Sequence, residues 1–124
     1  MDLSKTPAEL ATEAAEALRA LNHRTLDSKA YTAPPAVGDT AHGIRTLIER
    51  LPQTLDQMNA ALLRLDVEKA IRMDDGTDPE VAVAVCEAAL RRAQLLTDDL
   101  LKELSIVSAR TSHMGGQWDA ADDE

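Results

Sequence analysis

Phenylalanine is absent from this 124-residue chain, and tryptophan and tyrosine occur once each. A core without aromatic rings has to be built from aliphatic and small side chains, and each buries little area at roughly 25 cal/mol per Å². Alanine, the smallest of them, occurs 21 times, so a thin core is expected. Cysteine also occurs once, which excludes an intrachain disulfide and gives no sign of an oxidising compartment. Cys86 falls on an apolar stripe and reads as a buried, inert thiol. No run approaches ~18 uninterrupted apolar residues, so no segment reads as a membrane span. The opening MDLSKTPAEL lacks the basic segment and apolar run of a secretory leader. The cytoplasm is the expected location, and the length suits a single domain.

Basic residues are also few. Lys and Arg total 13 against 22 Asp and Glu, a net charge of −9. Asp119, Asp122, Asp123 and Glu124 supply four of the negative charges, so the remainder of the chain is acidic as well. Such a surface repels phosphate backbones, and neither nucleic acid nor membrane is an expected partner.

What is present is helical periodicity. Val37, Ala41, Ile44, Ile48, Leu51, Leu55, Met58, Leu62 and Leu65 recur at 4-3-4-3 spacing, the seam of a helix packed lengthwise on another. A second stripe runs through Ala82, Cys86, Ala89, Ala93, Leu96, Leu100, Leu104 and Val107. Pro52 interrupts the first stripe without changing its phase. One kinked helix fits that pattern, and so do two helices with Pro52 opening the second; the unbroken stripe favours the kink. The fold class expected is all-α: a long antiparallel helical hairpin with a shorter N-terminal helix packed on it, a three- to four-helix bundle.

Local signals place the ends. Thr6-Pro7-Ala8-Glu9 reads as a capping box opening the first helix, whose buried face is Leu10, Ala14, Leu18 and Leu21, with Asn22 a terminator. Residues 25–37 read as a loop, and Asp39 or Thr40 as the cap of the second helix. Met73-Asp74-Asp75-Gly76 reads as its ending, with Gly76 in a left-handed turn. Thr77-Asp78-Pro79-Glu80 reads as a further capping box, opening a last helix that reaches Ser108 or Ala109. The domain is expected over 1–110, with a disordered acidic tail over 111–124.

Chemistry is sparse. His23, His42 and His113 fall in different elements without ligand spacing, so no metal site is expected. Asp74, Asp75 and Asp78 share a turn but lack the alternating ligands and closing Glu of a calcium loop, and read as turn and cap residues. Gly43 reads as a point of close packing. No P-loop, nucleophile elbow or dinucleotide fingerprint is present. Neither an enzyme nor a cofactor is expected. The apolar positions to the side of the two stripes, Leu63, Val67 and Ile71 and Val83, Leu90 and Leu101, are the candidate partner-binding residues. The expected function is a non-enzymatic helical module that binds another protein or a second copy of itself.

Three segments carry a likeness to known proteins: Thr6-Pro7-Ala8-Glu9-Leu10 with its alanine-rich continuation to Ala20-Leu21-Asn22-His23, Arg50-Leu51-Pro52-Gln53 with Leu55-Asp56-Gln57, and Asp74-Asp75-Gly76 with Asp78-Pro79. Together they resemble a group of small helical proteins widespread in actinobacterial genomes, which implies a lineage and a helical fold and brings no site residues. In architecture alone the chain is also similar to the WXG100-type secreted proteins, short helical hairpins exported by a specialised system. Their Trp-x-Gly turn and Tyr-x-x-x-Asp/Glu signal are missing: the only Trp is Trp118, and Tyr31 is followed four residues later by Pro35. A small helical cargo of such a system is the alternative function.

Overall fold

A computed structural model describes residues 2–116. Three helices follow one another: α1 (Pro7–Arg24), α2 (Pro34–Val67) and α3 (Pro79–Thr111). α2 and α3 run antiparallel as a hairpin, and among the described residues they alone approach each other closely along their lengths. The all-α hairpin is as the periodicity indicates. The expected acidic tail lies outside the described residues from position 117 on, and Trp118 with it.

The ends of the helices follow local chemistry. Thr6 caps α1: its side chain accepts from the Glu9 backbone N–H at 3.1 Å, and the Glu9 carboxylate accepts from the Thr6 backbone N–H in return. The helix runs two residues beyond Asn22, and the Thr25 hydroxyl then donates to the Leu21 carbonyl at 3.0 Å. α2 begins at Pro34, several residues before the expected Asp39 or Thr40. Two prolines in succession oppose a helix interior but suit its first positions, whose N–H groups have no intrahelical acceptor in any case.

α2 continues through Pro52 as one helix, which settles the choice between a single helix and two. It ends at Val67, earlier than Met73. The Ala70 N–H donates to the Leu65 carbonyl at 2.9 Å and the Lys69 N–H to that of Asp66 at 3.0 Å, a complete Schellman closure. Lys69 holds the left-handed position at φ 57°, a place the sequence suggested for Gly76; Gly76 is left-handed too, at φ 80°, but further along the connection. Asp78 rather than Thr77 caps α3, accepting from the Glu80 N–H at 3.1 Å.

α1 differs from its expected role. No Cα of α1 comes within 8 Å of α2 or α3, and no residue of α1 is buried. Its intended apolar face is largely open, with Leu10 41% and Leu18 36% exposed and Leu21 half-buried. Ala17, Leu18 and Leu21 border a shallow cleft whose other wall is Thr40, Gly43, Ile44 and Leu47 of α2. Gly43 therefore marks an opening, since a Cβ there would meet nothing within 4 Å. The close approach is at Gly38, where a Cβ would lie 2.7 Å from the Thr111 Oγ1 and so seals the open end of the hairpin.

Candidate docking face

The seam of the hairpin carries polar groups. Its fully buried residues are Ala41, Ile48 and Asn59 on α2, and Val83 and Thr97 on α3. Half-buried Gln94 crosses it, donating from Nε2 to the Pro52 carbonyl at 2.9 Å. Among the described residues this is the sole side-chain hydrogen bond joining the two helices. Arg45 Nε, Asn59 Oδ1 and Ser108 Oγ are buried with no partner among the described residues. Each such group costs about 1–3 kcal/mol against a satisfied one, so this seam holds the hairpin weakly.

On α3 the packed positions are Val83, Glu87, Leu90, Gln94, Thr97, Leu101 and Leu104, all buried or half-buried. They too are spaced 4-3-4-3-4-3, but the row is rotated from the stripe of highest hydrophobicity. Cys86, Ala89, Leu96, Leu100 and Val107 of that stripe are exposed, Leu96 by 67%. Cys86 is therefore an exposed thiol rather than a buried one. The apolar row was legible in the sequence; its direction was not, because Glu87, Gln94 and Thr97 disguise the true contact row as a polar flank.

The six candidate partner-binding residues consequently separate. Val83, at 4% exposure, is the most deeply buried apolar residue and faces α2, with Leu90 and Leu101 half-buried along the same row. Leu63 and Val67 are exposed, Val67 by 80%. Ile71 lies half-buried in the connection near Lys69 and Pro79. These residues share no face.

A different face emerges. On α2, Val37, Ile44, Leu51, Met58 and Leu65 recur every seven residues beside the seam, with Thr40, Leu47, Thr54 and Ala61 interleaved. On α3 the matching rows are Ala82, Cys86, Ala89, Ala93, Leu96 and Leu100. Antiparallel right-handed helices turn in opposite senses when viewed from one end, so rows displaced to the same angular side of each seam emerge on one side of the hairpin. No charged side chain interrupts either row until Glu103. The reverse side is mixed: Arg91, Asp98 and the exposed Leu95 lie near Pro52 there.

The acidic connection does structural work. Asp75 accepts from the Thr77 backbone N–H at 3.0 Å, and that hydrogen bond holds its carboxyl below the ordinary carboxylate value. Asp2 is held low likewise by the Ser4 hydroxyl. Among the described residues no three His, Cys, Asp or Glu side chains converge as a metal site would require, and no helix is long and apolar enough to cross a membrane. Comparisons with protein-family models, curated proteins and solved structures found no match to this chain.

Proposed function

We propose that this chain is a non-enzymatic helical module that works in the cytoplasm by binding protein through the uncharged face of the hairpin. The observation that carries this reading is the open row of Leu96, Leu100 and Val107 beside Met58 and Val37, all 38% exposed or more. The helices of 34 and 33 residues run about 50 Å at 1.5 Å per residue, and α1 borders the face at Thr40, Ile44 and Leu47, towards the start of α2. Apolar strips of such length on a surface elsewhere rich in charge are interaction surfaces far more often than they are idle. The acidic balance of the chain directs the choice towards protein and away from nucleic acid.

A photo-crosslinking residue placed at Leu96, with Asp98 on the other side of α3 as control, tests this in intact cells. Adducts from position 96 and none from position 98 support the reading. Absence of adducts from position 96 overturns it.

A further inference from the structure

We propose that α1 is a strap for the uncharged face: it closes over that face within the same chain and competes there with the protein that the face binds. This inference rests on the reading of the face as a protein-binding surface.

The position of α1 is the first argument. Its Ala17, Leu18 and Leu21 share a cleft of about 330 Å³ with Thr40, Ile44 and Leu47, which belong to the face, and with Gly43, which does not. At about 100° per residue, Gly43 lies further round α2 from the seam than Leu47. α1 therefore rests on the shoulder of α2, short of the groove between the two long helices. Thr40 is the one polar side chain in the cleft, and its hydroxyl already donates to the Ala36 carbonyl at 3.1 Å. Nothing in that lining calls for a polar occupant.

The attachment of α1 is the second. Among the described residues, no hydrogen bond or ion pair ties α1 to α2 or α3. Lys5 pairs with Glu13, Arg19 with Glu16, and the Thr25 hydroxyl turns back to Leu21. In the connection over 25–33, the Ala30 N–H donates to the Asp27 carbonyl and the Lys29 N–H to the Asp27 carboxylate. The connection can turn without breaking any bond to the hairpin. It also holds α1 near the face at an effective concentration on the order of millimolar, which any free partner has to match.

Register is the third. Gly38 lies against Thr111 and Pro52 against Gln94, pairs that put Val107, Leu100 and Leu96 opposite Thr40, Leu47 and Leu51. Laid antiparallel to α2 from the existing contact, the 18 residues of α1 reach about 27 Å. Leu18, Ala14 and Leu10 then lie along this stretch of the groove. Neither their row nor the face before Glu103 carries a charge. Leu10, 41% exposed, and Leu96, 67% exposed, leave water together, and the hairpin becomes a three-helix bundle.

The photo-crosslinking residue at position 96, carried by purified full-length protein, tests the strap without any partner. The expected product is an intramolecular adduct that mass spectrometry maps to residues 7–24, in a yield independent of protein concentration. In the Leu10→Asp/Leu18→Asp variant that adduct should fall about tenfold, and in intact cells adducts of position 96 to other proteins should rise. No residue of α1 is buried, so the hairpin should keep its helicity by circular dichroism. The crosslink in the chain with Leu10 and Leu18 in place keeps the test valid if the variant misfolds. Absence of an adduct onto 7–24 overturns the strap and leaves the crosslinking of the face in cells as a separate result. An adduct of doubled mass in its place assigns the face to a second copy and overturns the strap equally. An intramolecular adduct with no rise in adducts to other proteins overturns the competition, and if those are absent altogether the protein-binding reading falls with it.

Discussion

Lys69 sits in a conformation that L-residues adopt at a cost of about 1–2 kcal/mol, because the Cβ crowds the neighbouring carbonyl. Glycine has no Cβ, so Lys69→Gly should stabilise the protein by about 1 kcal/mol after its greater chain entropy is counted. A higher urea midpoint with unchanged slope would register this. The glycines give a paired test. At Gly43 a Cβ meets open space in a helix interior, so Gly43→Ala should add about 0.5–1 kcal/mol. At Gly38 the same change drives a methyl group against Thr111, and a net loss of about 1 kcal/mol is expected. Thermal melts of the two variants should therefore shift in opposite directions.

Pro52 matters at the scale of the element. It removes the donor that would satisfy the Ile48 carbonyl, and its ring crowds that carbonyl as well. Gln94 binds the proline's own carbonyl from the facing helix. Pro52→Ala should restore the missing helical hydrogen bond and stabilise α2 by roughly 1–3 kcal/mol, read as an increase in the unfolding midpoint. The existence of the two long helices was legible in the sequence because apolar residues recur in phase across Pro52 and from Ala82 onward, but their ends were not: α2 runs Pro34–Val67 and α3 reaches Thr111. The angular setting of α3 was hidden. Hydrophobic periodicity reports which side chains avoid water, and in an incompletely covered hairpin those include side chains that remain exposed. Leu96 and Leu100 belong to that class, whereas Thr97 and Gln94 occupy the contact row. The N-terminal helix was legible as a helix from Thr6 to Glu9. Its isolation was not, since Leu10 and Leu18 look the same in sequence whether covered or open.

For the whole molecule, a seam that fully buries only Ala41, Ile48 and Val83 among its apolar residues is a small source of stability. Closure of α1 over the larger face within one chain adds to it without linking stability to protein concentration. The melting temperature should therefore stay constant as concentration is raised. Calorimetry over two decades of concentration would check this, and a midpoint that climbs with concentration would count against closure within the chain.

The close approach of Gly38 to Thr111 bears also on how the chain folds. These residues are 73 positions apart in sequence, against 42 for Pro52 and Gln94. Loop-closure entropy grows only with the logarithm of length, so the longer closure costs about 0.5 kcal/mol more than the shorter. Once the connection after Lys69 has formed, each further pair along the hairpin brings the next within reach, and closure proceeds as a zipper toward Gly38. The last pair to close is then the first to open, which places native-state fraying beside α1 and the start of α2.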